Sequence, residues 1–248
     1  MTDGPLSHVA LQVATPAHDD RFSGDYLASL MNTRITLEHF GASFNWVKFP
    51  GSSDLCHARN KIFGEFLRNK QYNFLLKVDS DMGWEASDVV KMLSFNVDFI
   101  AGVGCKKKMP AEWCVSNRSD VDGSIETLQM QKFPDGTHVA QPNYVGAGFV
   151  LISRTCVEKL ADAYKDLKYV DPYDKKEELA LYDPVMLSYG ERYFDDFAFC
   201  YRWRKIGGVV NVLPDIHLKH MGNYTFEGAW VSSLKYKDEQ DGSEKAKE

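Results

Sequence analysis

Two aspartates separated by one residue, in Asp79-Ser80-Asp81-Met82-Gly83, follow directly on the apolar run Phe74-Leu75-Leu76-Lys77-Val78. Carboxylates two apart on an extended segment project to one side, and oxygen pairs of that kind hold hard divalent cations. A cation held there grips phosphate oxygens and eases the departure of a diphosphate. The same tripeptide also reads as a loop that begins the next helix, because Asp and Ser are good N-caps. Its weight depends on what else the chain brings to the same place.

Four further groups have suitable chemistry. Ala58-Arg59-Asn60 opens a helix, so the Arg59 guanidinium and the helix end together suit an anionic group. Val145-Gly146-Ala147-Gly148-Phe149 is a turn whose Gly146 and Gly148 permit close approach to the backbone. Phe194-Asp195-Asp196-Phe197 places two carboxylates at a helix start, and His220 precedes Met221-Gly222-Asn223-Tyr224. Each has a plainer reading. Asp195 and Asp196 are favourable charges at any helix N-terminus, a lone His is commonly a satisfied surface group, and Arg59 has Glu65 as a surface partner within reach. Trp84 and Trp113 suit stacking on a sugar, but also ordinary burial.

The elements that must position these residues alternate through the first half. His8–Thr15 reads as a strand closed by Pro16, and Asp25–Phe40 as a helix with an apolar stripe of Leu27, Leu30, Met31, Ile35 and Leu37. Ser43–Phe49 is a strand. Asp54–Asn69 is a helix capped by Asp54, with Ile62, Phe63, Phe66 and Leu67 buried. The Asp79 strand follows, then a helix at Ala86–Leu93 and a strand at Asp98–Gly104. This order predicts an α/β fold with a mostly parallel central sheet and helices on both faces, whose ligands sit at the carboxyl ends of the strands.

The second half is less regular. Lys106–Val139 is polar, with a hairpin near Pro134-Asp135-Gly136, and Tyr144–Ser153 is one apolar run leading to a helix at Thr155–Tyr164. Residues 165–190 read as a mobile surface excursion and a candidate acceptor lid. Tyr193–Ile206 reads as a helix ended by Gly207-Gly208, and Val209–Leu213 as a short strand. The expected organisation is one domain over 1–234, with halves of 1–105 and 106–234, followed by a disordered charged tail over 235–248.

A length of 248 residues, 44% hydrophobic and 26% charged, suits a globular chain with a substantial core. A net charge of −6 argues against a long sequence-blind nucleic-acid surface. The Lys106–Lys108 run and Arg202, Arg204 and Lys205 are local basic clusters that read as solvated faces. Five Cys without C-x-x-C spacing fit free thiols in a reducing compartment. No signal peptide and no membrane-spanning apolar stretch is read, so a cytoplasmic location is expected, in the host cytoplasm if the chain is viral.

With its motifs in this order over roughly residues 8–230, the sequence resembles the GT-A class of nucleotide-sugar glycosyltransferases, especially compact members carried by bacteriophages and large viruses. The resemblance implies a GT-A-like, Rossmann-type fold and a hexosyltransferase-type activity. It implies Mn²⁺ or Mg²⁺ on Asp79, Asp81 and His220. It also implies a nucleoside-diphosphate sugar contacted by Arg59, Asp79, Ser80, Asp81, Gly146 and Gly148, and Asp196 as the base toward an acceptor hydroxyl. The usual Glu-Asp pair is Asp195-Asp196 here. Direct attack implies inversion. The acceptor is left open among a glycan, a protein and a modified nucleobase.

Three rival readings share part of this pattern. A haloacid-dehalogenase-type phosphatase also uses Asp-x-Asp, but on its first strand. A sugar nucleotidyltransferase places a glycine-rich loop after the first strand, where this chain has Ala14-Thr15-Pro16-Ala17. A non-catalytic sugar-nucleotide or carbohydrate-binding module would bind donor without transfer.

Overall fold

In a computed structural model of the chain, residues 4–133 and 135–234 are described, and the expected disordered tail lies outside them. The first half lays down β1 (Ala10–Ala17), α1 (Gly24–His39), β2 (Ser43–Pro50), α2 (Leu55–Arg68), β3 (Phe74–Val78), β4 (Met82–Gly83), α3 (Ala86–Ser94) and β5 (Phe99–Ala101). Next come β6 (Val115–Ser116), β7 (Gln129–Lys132), β8 (His138–Gln141), β9 (Tyr144–Val145), β10 (Phe149–Ser153) and α4 (Arg154–Ala163). The chain continues through β11 (Lys168–Val170), β12 (Glu177–Leu179), β13 (Val185–Met186), β14 (Arg192–Tyr193) and α5 (Asp196–Lys205). It closes with β15 (Asn211–Val212), β16 (His217–Met221) and β17 (Thr225–Ala229).

Eight strands form the central sheet in the order β2-β1-β3-β10-β5-β15-β8-β7. β8 and β10 run against the other six, so the sheet is mostly parallel. The helices start where local chemistry caps them: the Ser23, Asp54 and Ser153 side chains accept from the backbone N–H groups of Tyr26, His57 and Cys156. α2, α4 and α5 pack Phe63, Leu160 and Phe199 on one face of the sheet. α1 and α3 pack Tyr26, Leu37 and Met92 on the other. Among the described residues no helix is long and apolar enough to cross a membrane.

The structure differs from the sequence reading in four places. β1 runs on through Pro16, because β3 pairs with it only over Leu11–Ala14 and leaves room beyond for a residue without an N–H. On α1, Leu27, Met31 and Ile35 are exposed, while Ser29 and Thr33 face inward. There Trp84 Nε1 donates to Thr33 Oγ1 at 2.9 Å and Ser29 Oγ donates to the Trp84 carbonyl at 2.6 Å. The run at 144–153 is broken into β9 and β10 around the glycine turn. Finally, residues 165–190 are packed rather than a mobile excursion: Asp171, Glu178, Leu179 and Tyr182 are all buried. Contacts from α2 bind this segment: His57 Nε2 lies 2.5 Å from Asp171, Lys61 pairs with Asp174 at 2.8 Å, and Arg68 with Glu178 at 3.0 Å.

Candidate active site

β3 delivers Asp79 at its carboxyl end, but the chain turns there instead of staying extended. The Asp79 N–H donates to the Gly148 carbonyl at 3.0 Å, and the Met82 N–H donates to the Asp79 carbonyl at 3.1 Å. The two-residue alternation of a strand is lost at this turn, and the two carboxylates part. Asp79 faces Arg59, whose Nη2 lies 3.2 and 3.1 Å from its two oxygens. Asp81 faces Lys107, which donates to Oδ2, and His220, whose Nε2 lies 3.6 Å from Oδ1. Between them, the Ser80 carbonyl accepts the Ser23 N–H at 3.0 Å, tying the motif to the start of α1.

His220 reaches Asp81 through strand pairing. β16 runs antiparallel to β4 with His220 opposite Met82, and the Met221 N–H donates to the Asp81 carbonyl at 2.8 Å. His220 Nδ1 lies 2.7 Å from the Cys105 carbonyl, which only accepts, so Nδ1 carries a hydrogen and Nε2 is turned to Asp81. Burial disfavours the charged ring, but the Asp81 carboxylate and the Cys105 carbonyl outweigh it and raise the His220 pKa. Burial likewise works against Asp81, yet hydrogen bonds from His220 and Lys107 hold its carboxyl below the usual range.

Among the described residues no three His, Cys, Asp or Glu side chains converge as a cation cage. The expected trio of Asp79, Asp81 and His220 is therefore present as a pair, Asp81 and His220, with Asp79 turned to Arg59. That pair still suits a divalent ion. It offers one carboxylate oxygen and one imidazole nitrogen, and the opposite ring nitrogen is fixed by a carbonyl, as ligating histidines usually are.

The second part of the site is a cluster of two buried cations and three half-buried carboxylates. Arg59 on α2 is 2% exposed, and Lys77, on the face of β3 that α2 and α5 cover, is fully buried. Both Asp196 oxygens are engaged: it accepts from Arg59 Nη1 at 2.6 Å and Lys77 Nζ at 3.1 Å on Oδ1, and from the Ala147 N–H at 2.7 Å on Oδ2. Asp195 meets Arg59 through Oδ2, while its Oδ1 is buried with no hydrogen-bond partner. Asp195 also stands at φ 56° and ψ −127°, a backbone conformation that is costly for a residue with a Cβ. The adjacent carboxyls respond oppositely. Burial and the Asp196 charge push Asp195 up, whereas for Asp196 the charges of Arg59 and Lys77 overcome burial and push it down.

The two turn glycines serve this packing. A Cβ on Gly148 would sit 3.3 Å from Asp79 Oδ2, and one on Gly146 would sit 2.7 Å from the Cys114 Cβ. They let the turn approach closely enough for its Ala147 N–H to reach Asp196.

Sequence reasoning assigned no role to Lys77 and treated Lys107 as part of a solvated run. The signal for Lys77 was legible: a lone cation inside the five-residue buried strand Phe74–Val78 needs a carboxylate partner. Nothing in the Lys106–Lys108 run singles out Lys107, because its partner is set by the fold.

No protein-family model matches this chain, and no curated protein matches it in sequence. Solved structures do match. The A197 protein from STIV aligns over 96% of this chain and 98% of its own, at 15% identity and a TM-score of 0.51. The fold is shared. The catalytic domain of Drosophila beta1,4-galactosyltransferase 7, solved with xylobiose, aligns over 84% of this chain and 66% of its own, at 12% identity and a TM-score of 0.44. A glycosyltransferase involved in glycosylating the major capsid of PBCV-1 aligns over 66% of this chain and 70% of its own, at 11% identity and a TM-score of 0.35.

Proposed function

We propose that this chain is a metal-dependent glycosyltransferase that moves a sugar from a nucleoside diphosphate to an acceptor hydroxyl. The observation that carries this reading is the meeting of Asp81 and His220 at the carboxyl end of β3, with Nε2 turned toward the carboxylate. Asp81 and His220 would hold Mn²⁺ or Mg²⁺, with the remaining positions left to diphosphate oxygens and water. When bound, such an ion neutralises charge on the departing diphosphate. Lys107 sets a further positive charge beside Asp81, where phosphate oxygens would lie.

The remaining residues divide the work. Arg59, buried and engaged with three carboxylates, positions Asp79, Asp195 and Asp196 rather than reaching for the donor. Both oxygens of Asp196 are engaged, so its role is to anchor Arg59, Lys77 and the glycine turn. Asp195 is the better base. Its side chain is 19% exposed and pairs with Arg59, and burial and the Asp196 charge raise its pKa. Proton removal by Asp195 as the hydroxyl attacks the anomeric carbon gives inversion, and such a base contributes ~10²–10⁴ in rate. The phosphatase alternative has no nucleophile in the expected place, since β1 carries no carboxylate.

The test combines Mn²⁺ with a panel of sugar nucleotides and follows release of nucleoside diphosphate. Asp81→Asn is expected to remove metal-dependent donor binding. Asp195→Asn is expected to keep donor binding and lose transfer, with a smaller loss for acidic phenolic acceptors than for alkyl alcohols. Full turnover by Asp81→Asn would sink the assignment.

A further inference from the structure

An open groove of about 840 Å³ runs along α2, and none of Arg59, Asp79, Asp81, Asp195, Asp196 or His220 lines it. One wall is the helix face carrying His57, Lys61, Glu65 and Arg68, spaced by four, four and three residues. The facing wall is the packed segment that contributes Tyr169, Pro172 and Tyr173. The groove shares α2 with the candidate active site. Its lining residue Asp183 accepts from Asn60 Nδ2 at 2.7 Å, and Asn60 directly follows Arg59 on α2. The Cys56 thiol on the same helix is pushed up to about 11, by burial first and then by the charges of Asp195, Asp54 and Asp183.

The lining is rich in charge yet balanced. Lys48, Lys61, Arg68 and Lys176 stand against Asp54, Glu65, Asp174 and Asp183. Three of the cations are already paired: Lys61 to Asp174 at 2.8 Å, Arg68 to Glu65 at 3.6 Å and Lys48 to Asp20 at 2.6 Å. A polyanion needs an uncompensated basic field, which this groove lacks. Balanced carboxylate and ammonium pairs instead offer acceptors and donors in equal measure, as hydroxyl groups require. Tyr173 adds an apolar surface. It is 85% exposed, and its ring stands 6.2 Å from the His57 ring, which Asp171 fixes in place. Pockets of this volume, with an aromatic wall and a few oriented polar groups, suit organic ligands of several rings.

We propose that this groove is the acceptor subsite and that it takes a neutral oligosaccharide, with a sugar ring on Tyr173 and hydroxyls on the paired charges. The assignment rests on the glycosyltransferase reading, and the experiment separates the two. Binding of maltohexaose, xylohexaose, mannohexaose and chitohexaose is measured by saturation-transfer NMR, with a heparin hexasaccharide and an oligothymidylate as charged comparators. Binding of nucleoside diphosphates with Mn²⁺ is measured in parallel.

At least one neutral chain is expected to bind, and Tyr173→Ala should weaken it about tenfold, a loss of about 1.4 kcal/mol. The same exposed-site variant should leave melting temperature and nucleoside-diphosphate affinity unchanged. The proposal is overturned if no neutral chain binds, if Tyr173→Ala binds as well as wild type, or if a charged comparator binds tightest. Retained Mn²⁺-dependent nucleotide binding in those cases leaves the glycosyltransferase reading standing. Glycan binding without any nucleotide binding overturns the acceptor role and favours a carbohydrate-binding module.

Discussion

Arg59→Met is the most demanding test of the charge cluster. The substitution keeps most of the side-chain volume and removes the one group that contacts all three carboxylates, leaving Lys77 as their sole buried cation. Removing one partner of a buried ion pair costs about 3–5 kcal/mol, because the remaining charges stay desolvated. For a domain of this size the melting temperature should fall by roughly 6–20 °C at pH 7. The pH dependence gives a second check. In the wild type Asp196 is depressed, so its stabilisation is present above the unfolded value of about 3.9 and is lost only as pH falls through the lower folded value. Without Arg59 the Asp195 and Asp196 carboxyls lose the charge that favours ionisation, so the folded variant takes up protons at higher pH than the wild type does. The deficit should therefore narrow on acidification. Calorimetric melts of both proteins at pH 7 and pH 5 measure it. A fall of less than about 3 °C, or a deficit that widens at pH 5, refutes the account.

The other predictions are simpler. His220 has a raised pKa, so its pairing with Asp81 stabilises the fold below the unfolded value of about 6.5 and fades as pH rises through the folded value. In metal-free protein the melting difference between wild type and His220→Gln should shrink from pH 6 to pH 8.5. Ser29→Ala leaves the Trp84 N–H and carbonyl without their shared partner and should cost about 1–3 kcal/mol in urea unfolding. The Cys56 and Cys114 thiols, each raised to about 11, should react with iodoacetamide at pH 7.5 more than tenfold slower than in urea.

Where local chemistry decides, the sequence was readable. Asp54 caps α2, and Ile62, Phe63 and Phe66 are its buried face as their spacing implies. β3 ends at Asp79, and a turn between β7 and β8 spans the expected position around Gly136. Reading failed where a distant partner decides. The stripe on α1 was misjudged because Trp84 supplies hydrogen bonds that draw Ser29 and Thr33 inward. The segment over 165–190 looked polar, yet Asp171 and Glu178 are buried because His57 and Arg68 on α2 meet them. The divergence of Asp79 and Asp81 depends on a turn pinned by the Gly148 carbonyl, which belongs to the distant turn between β9 and β10. Arg59 was read as meeting the anionic part of a nucleotide, with Glu65 as a surface alternative; in the structure it is buried and meets Asp79, Asp195 and Asp196.

β10 enters the middle of the sheet against the direction of β3 and β5, with Phe149 opposite Val78. The turn that feeds it therefore lies at the carboxyl end of β3, where Asp79 emerges, and there the amide of Ala147 donates to Asp196. Part of what holds this carboxylate is thus supplied by the backbone, a donor that no exchange of side chains short of proline removes.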